Sequence, residues 1–311
     1  MAKKVKEKKI LEGVAKFNRI SKPMNLLFSF IFLLCALAAV IPLIFCVIIS
    51  FTDKTSLNKI GFSFFPEKWS LSAYSALWDS KETIIRAFFV SVFITVVGTV
   101  VGLLLNATMG YVLSRKSFKL RKLYTWIVFI PMVFSGGMVA TFLVITQFLG
   151  LEDSVWALIL PMAVGSFYVI ILRTFFNTTV PDSLIESGKI DGASQLRIFF
   201  QIVLPISLPA LATIGLFLSF AYWNDWFNAL MYLTTDKYAP LQFVLMKIEQ
   251  NINFMISSQN MDPIARQAMM QMPQEAFRMA LVVILVLPIA CSYPFFQKYF
   301  VSGLTIGAVK G

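Results

Sequence analysis

Six stretches of this chain contain no Asp, Glu, Lys or Arg: residues 25–51, 87–114, 123–150, 154–172, 206–224 and 279–297. An α-helix needs roughly 20 apolar residues to cross a hydrocarbon core about 30 Å thick, and each window is near or above that length. A helix bonds its own backbone, so lipid can solvate it. Strands of a transmembrane barrel are about 10 residues long and alternate in polarity. The expected fold class is therefore an all-α integral membrane protein with six transmembrane helices. Composition agrees: 58% of the 311 residues are hydrophobic, 14% are charged, and the mean hydropathy is +0.77. That is more apolar surface than a water-soluble domain can hide.

The net charge of +11 invites a nucleic-acid reading, but its placement argues against one. Residues 1–24 hold eight Lys and Arg against two acids, loop 115–122 five against none, segment 173–205 three and segment 298–311 two. The alternate segments 52–85 and 232–275 hold seven between them. This positive-inside asymmetry puts both termini in the cytoplasm. The basic loop 115–122 reads as a topology signal and a contact for lipid headgroups, with no nucleic-acid partner implied. The basic N-terminus leads into an apolar run without a small-residue cleavage site, so it reads as a retained first span rather than a signal peptide. Cys35, Cys46 and Cys291 fall inside the windows and read as small buried apolar side chains. The chain has no histidine, which removes imidazole metal sites and proton relays.

Three regions follow: a basic cytoplasmic segment 1–24, a six-helix membrane domain 25–300, and a cytoplasmic tail 301–311. Segment 52–83, with Pro66, Trp69, Tyr74 and Trp78, lies at the outer membrane surface. Only residues 151–153 separate the third helix from the fourth, which makes them antiparallel neighbours. Pro42, Pro131, Pro161, Pro288, Pro294 and the pair Gly136-Gly137 read as kinks. Gly98, Gly102 and Gly110 share one face of the second helix and let another helix approach closely. Asn106 and Gln147 are polar within spans, and interhelical hydrogen bonding explains them as well as a pathway role does.

Between the fourth and fifth windows lies a polar insert, 179–205, too short to be a domain. Pro181 and Asp182 suit the first turn of a short helix, with Thr179 or Asp182 as its cap. Leu184, Ile185 and Glu186 continue it, and Asp191-Gly192 breaks it. Ser194 can cap a second helix, on which Ile198, Phe199, Ile202 and Val203 form an apolar face. Two short helices at an angle make a knob suited to a cleft on another protein.

Glu186, Asp191, Gly192, Ala193, Phe199, Ile202, Leu204 and Pro205 match the pattern E-A-A-x-x-x-D-G-A, in its form one residue shorter, then F-x-x-I-x-L-P. On these residues the chain resembles the membrane permease subunits of bacterial ABC importers, whose insert is a coupling helix. Ser187 and Gly188 stand where that family usually has two alanines. The resemblance implies that the insert docks on a cytoplasmic ATPase subunit. Glu186 and Asp191 would then make polar contacts at the crest, Gly192 would form the turn, and Phe199 and Pro205 would give internal support. Tyr222-Trp223-Asn224-Asp225-Trp226-Phe227-Asn228 and the terminus through Gly307, Val309, Lys310 and Gly311 resemble the carbohydrate-uptake, maltose-type branch, where the tail touches the ATPase. The implied partners are a second homologous permease, two ATPase subunits holding ATP and Mg, an extracellular solute-binding protein and a carbohydrate, in a bacterial plasma membrane.

Asn224, Phe227, Asn228 and Met231 recur at i, i+3, i+4 and i+7, so a continuous helix would set them on one face. Amides bond sugar hydroxyls and aromatic rings pack on a pyranose, which makes these residues and Trp223 candidates for a substrate path. Trp223 and Trp226 also read as interfacial belt residues. The outer segment 233–275 offers Gln250, Asn251, Asn253, Gln259 and Asn260 to a binding protein, while Met269-Met270-Gln271-Met272 suits the membrane surface. No phosphate-binding G-x-x-x-x-G-K-[ST] loop occurs, and no nucleophile–base pair or metal-ligand cluster stands out. The reading is a non-catalytic permease of an ATP-driven importer for an oligosaccharide. The alternatives are a permease for a non-sugar solute, or an ion-coupled secondary transporter, which would need ion ligands within the bilayer.

Overall fold

Helix is the only regular structure in the computed structural model, which describes residues 21–257 and 274–308. Three helices are long and apolar enough to cross a membrane by themselves: Lys22–Ser50, Lys81–Ser114, and Gln274–Ser292 at the start of Gln274–Ala308. Three pairs pass the same test as bent units: Arg121–Val133 with Gly137–Phe148, Val155–Ala163 with Ser166–Thr179, and Gln195–Ile206 with Leu208–Trp223. With each bent pair counted once there are six spans, here numbered in chain order, where the six windows predict them. A further helix, Leu241–Ser257, connects spans five and six.

Span two is the axis of the bundle. It packs against both halves of span four, against span five and against the connecting helix. Its glycines explain the closeness. A Cβ on Gly98 would stand 2.6 Å from the Tyr222 ring of span five. One on Gly102 would meet Ala163 O at 3.1 Å, and one on Gly110 would meet the Leu172 Cβ at 2.9 Å. The shared small face thus receives two different spans. Tyr222 cannot easily retreat, because it is buried and its hydroxyl donates to Ile159 O at 2.8 Å.

Span four breaks by 48° between Ala163 and Ser166. Asn106 of span two, fully buried, closes the break: Nδ2 donates to Ala163 O at 2.7 Å and to Gly102 O at 2.6 Å, and Oδ1 accepts from Gly165 N at 3.0 Å. The two open readings of Asn106 resolve in favour of hydrogen bonding between helices. Gln147 is exposed.

The third window departs from a simple crossing. Its halves meet at 120°, and Gly137 adopts φ +81° at the turn, a conformation that strains any residue with a Cβ. The first half still packs along span four, with Val128 against Leu113 and Val169, and Ile145 of the second half meets Ala157. Pro131 and Pro161 fall just before breaks, whereas Pro42, Pro288 and Pro294 lie within unbroken helices.

Span one packs on span six and leaves Leu26, Phe30 and Phe32 exposed. Cys35 and Cys291 are exposed as well, and Cys46 is half-buried, so the cysteines are not the buried side chains the sequence suggests. A span bordered by lipid can carry a small apolar thiol on its outer side. Trp69 and Trp78 are exposed in the segment after span one, as a surface belt requires.

Asn106→Leu is expected to lower stability by about 1–3 kcal/mol, the cost of leaving buried polar groups unpaired. Gln147→Leu should stay within about 0.5 kcal/mol, as an exposed substitution does. Thermal unfolding of the purified protein in detergent checks both. By the same measurement Gly98→Ala should cost about 1–3 kcal/mol through overpacking against Tyr222.

Candidate functional site

The insert is built on the end of span four. Val180 and Pro181 are extended, and the helix Asp182–Ile190 starts at Asp182 with Pro181 in the cap position. Neither Thr179 nor Asp182 caps it, as the sequence had suggested. The Asp182 carboxylate instead meets Lys116 Nζ at 3.1 Å and Arg115 Nη1 at 3.4 Å. The Lys116 hydrogen bond and charge, with Arg115 behind them, hold its pKa below the usual carboxylate value. The basic loop thus has a second task, which sequence reading missed because 66 residues separate Lys116 from Asp182.

Glycine ends the first arm. Gly192 has φ +78°, Gly192 N donates to Lys189 O at 3.0 Å, and Ala193 N donates to Gly188 O at 2.9 Å. Ser194 Oγ accepts from Arg197 N at 3.3 Å and opens the second arm, Gln195–Ile198. That arm runs through a π-helical turn, Phe199–Val203, and bends by 84° at Ser207 into the rest of span five.

Packing makes the knob rigid. Ile185, Ile198, Phe199 and Val203 are buried. The arms cross at Gly188, where a Cβ would lie 3.3 Å from both Ile198 and Ile202. Of the two small residues at the alanine positions, only Gly188 sits in this crossing; Ser187 is exposed. The Phe199 ring lies 5.2 Å from Tyr111 of span two, and Tyr111 meets Phe176 of span four edge-on at 6.1 Å. The Arg115 guanidinium covers the Tyr111 ring at 5.1 Å. Pro205 is exposed.

The crest at residues 186–193 is polar apart from Ile190 and Ala193, with Leu196 exposed on the second arm. Glu186, Lys189, Asp191 and Gly192 are exposed, Ala193 is half-buried, and Ile190 is 86% exposed. Sequence reading did not single out Ile190. The signal was its position: five residues after the buried Ile185, a helix has turned well off the packed face. The crest thus combines carboxylates, an ammonium and an apolar anchor on a fixed base.

The candidate path residues on span five do not lie on one continuous helix. The helix Leu208–Trp223 ends before Asn224, and a new one begins at Phe227. Asn224, Phe227, Asn228 and Met231 therefore share no continuous helix. Asn228 gives its N–H to Asp225 Oδ1 at 3.1 Å and its Nδ2 to Oδ2 at 2.9 Å, while Asn224 Nδ2 donates to Phe220 O at 2.8 Å. The amides close the break. Trp223 is buried, with its indole N–H on Leu285 O at 3.2 Å and Phe88 edge-on at 6.0 Å.

A different feature appears within the membrane region. Spans two, five and six enclose a crevice of about 390 Å³ lined by Thr95, Thr99, Ser219, Ser292 and the Trp223 ring. Thr99 and Ser219 are 3.1 Å apart through their hydroxyls, and Ser292 donates to Ile289 O at 2.8 Å. Thr95 and Thr99 stand four apart, a spacing that could have flagged a hydroxyl face. Gly307 lies near the end of the last helix, while Val309, Lys310 and Gly311 fall outside the described residues, as do Gln259, Asn260 and Met269 to Met272. Among the described residues no group of three or more acids and cysteines could hold a metal.

Known proteins share this arrangement. A family model described as "Binding-protein-dependent transport system inner membrane component" matches residues 98–306. The chain is 41% identical over 286 residues to the polygalacturonan/rhamnogalacturonan transport system permease protein YtcP of Bacillus subtilis, covering 92% of this chain and 97% of that one. It is 41% identical over 272 residues to protein LplC of the same organism, covering 88% and 90%. A crystal structure of a bacterial ABC transporter involved in importing the acidic polysaccharide alginate contains a similar chain. It is 27% identical with a TM-score of 0.77, over 91% of this chain and 99% of that one. Such permeases are non-catalytic membrane subunits that work with a solute-binding protein and an ATPase. By sequence and by fold, this chain belongs to the family of inner membrane components of binding-protein-dependent ABC transport systems.

Proposed function

We propose that this permease moves an oligosaccharide into a bacterial cell, with work entering through the insert. Its relatives support the sugar: beside YtcP stand permeases for arabinooligosaccharides and galactooligosaccharides, at 27% and 30% identity in Bacillus subtilis. The observation that carries the coupling reading is an exposed crest on a buried, interlocked base. Positive-inside asymmetry puts the insert and both termini in the cytoplasm, where ATPase subunits holding ATP and Mg would grip Glu186, Ser187, Ile190, Asp191 and Gly192. The tail, Gly307 to Gly311, would add a second contact. Residues 1–24 and 301–311 then flank one membrane domain, 25–300.

The load path follows from the packing. Displacing the crest pushes Ile185 and Phe199 against Tyr111 and Phe176, and thereby spans two and four. A packed core transmits such a push as a rigid-body step rather than absorbing it. A second homologous permease, non-identical to this one, would supply the other wall of the path. Thr95, Thr99, Ser219 and Ser292 would line the wall given by this chain, in place of the Asn224 to Met231 face.

Glu186→Lys should cut ATP-driven uptake into proteoliposomes at least about tenfold, the effect of losing roughly 1.4 kcal/mol of contact. The solute-binding protein should keep its affinity for sugar, and normal transport by this variant would refute the role of Glu186. Ile190→Asp should reduce co-purification of the ATPase by a similar factor. Phe199→Ala, inside the base, should instead leave the ATPase attached while hydrolysis runs without uptake. Uptake driven by an ion gradient in the absence of ATPase would overturn the whole reading.

A further inference from the structure

The seam between spans three and four ends in two arginines. On span three Arg121, Thr125 and Val128 stand at i, i+4 and i+7, and Val128 packs on Val169 of span four. Arg173 follows Val169 by one helical turn, so it continues that face of span four toward the insert. Both arginines are half-buried, and Arg121 stands near enough for its charge to oppose that of Arg173. Among the described residues neither guanidinium makes a hydrogen bond or an ion pair. Only Nε of Arg173 is enclosed; its terminal nitrogens reach the surface.

Two like charges that face each other across a helix seam repel, and partial burial weakens the screening by water. The surroundings add to the imbalance. Loop 115–122 carries no acid, and Asp182 beside it is already shared by Arg115 and Lys116. The helix that opens at Arg121 has neither a side-chain cap nor an acid in its first turn, so its positive end lies at the same place. An anion held between the arginines relieves all of this. Depth selects its source. The charge-free window of span three begins at residue 123 and that of span four ends at residue 172, so both guanidiniums stand at the membrane edge. Arg173 precedes Thr179, where its helix ends and the insert begins, by roughly 9 Å of rise. Beyond the arginines, away from the insert, the seam is apolar through Val128, Val169 and Ile170. A phosphate at this depth with acyl chains against that apolar seam is a lipid headgroup, and basic pockets between membrane helices hold such groups. Guanidinium suits the task because its paired N–H groups match two phosphate oxygens.

We propose that Arg121 and Arg173 form a specific site for the phosphate of an anionic phospholipid, which closes the insert end of the seam between spans three and four. The site is independent of the saccharide-import reading, since it uses neither solute nor ATP. Its consequence is mechanical: the lipid neutralises a repulsion between span three and the half of span four that carries the insert. In sequence Arg173 is one more basic residue at a window edge, and its opposition to Arg121 arises only where the two spans meet.

The test uses the assembled transporter, permeases with ATPases, stripped of lipid in a neutral detergent. Thermal unfolding is followed while dihexanoyl phosphatidylglycerol, dihexanoyl phosphatidylcholine or inorganic phosphate is added. Phosphatidylglycerol should raise the midpoint saturably, with an apparent affinity at least about tenfold above either comparator, the effect of a hydrogen bond to a charged group. Arg173→Gln and Arg121→Gln should each weaken that response about tenfold or more, and Arg173→Lys should retain part of it. Without lipid, Arg173→Gln should unfold at or above the midpoint of the unaltered complex, because it removes one of two opposed charges. An arginine with a purely structural role would instead lower the midpoint alike with and without lipid, and that result overturns the site. Equal responses to phosphatidylglycerol and phosphatidylcholine overturn it, as does a full phosphatidylglycerol response in both glutamine variants. Inorganic phosphate as potent as phosphatidylglycerol also overturns it, since the pair would then serve a soluble anion. Failure of Arg173→Gln to assemble counts against it likewise, because relief of repulsion predicts the opposite.

Discussion

Backbone polar groups in hydrocarbon must find partners within the protein, and this constraint shapes the chain wherever a span is interrupted. Three of the six spans are bent pairs. At the break in span four, Asn106 supplies both a donor and an acceptor across 57 to 59 residues of sequence. Beyond the end of span five, Asp225 accepts from the first turn of the next short helix. At the turn in span three, Ser135 Oγ accepts from Gly137 N at 3.2 Å. The breaks in spans three and four, and the one beyond span five, are thus closed by short polar side chains, whereas Ser207 Oγ at the bend within span five is buried without a partner. A substrate-binding role for such side chains would have to share them with this duty.

The same breaks delimit the segment that packs as one unit with the insert. Segment 166–206 lies between the bend in span four and the bend at Ser207. Within it the two arms of the insert and the lower half of span four share one core with Tyr111. Force applied at the crest therefore reaches span two through Tyr111 and through the close approach of Gly110 to Leu172. Asp182 adds little energy to this, because its pairs with Arg115 and Lys116 are exposed and such pairs are worth at most about 1 kcal/mol. Its value is positional: it ties the basic loop to the root of the insert.

What could be read from sequence was local. The charge-free windows located the spans, Gly192 and Ser194 located the turn and the cap, and Gly98, Gly102 and Gly110 located a close-packed face, because each signal is contained within a few residues. The failures were of two kinds. Lys116 with Asp182, Asn106 with Gly165 and Trp223 with Leu285 are distant pairings that no local pattern encodes. The Asn224 to Met231 face failed because its periodicity presupposed an unbroken helix. Asp225 followed three residues later by Asn228 was itself a capping signal, and it marked the helix restart that the longer pattern concealed. For the cysteines, an apolar window was equated with burial in protein, whereas in a membrane the apolar surroundings of spans one and six include lipid.

A path for a hydroxyl-rich solute through such a bundle has to bind weakly at each step, since a tight site would halt passage. The crevice between spans two, five and six suits that requirement. Ser219 spends its proton on Gly215 O at 2.7 Å, and Ser292 spends its own on Ile289 O, so both present an acceptor oxygen to whatever passes. Neutral hydroxyl acceptors give modest bonds, and no ionised side chain lines this wall. The stronger groups, Glu249, Glu275 and Arg278, stand at the far end beyond it. Polarity thus differs along the bundle, with charged residues lining the cavity beside the connecting helix and hydroxyls lining the crevice between spans two, five and six.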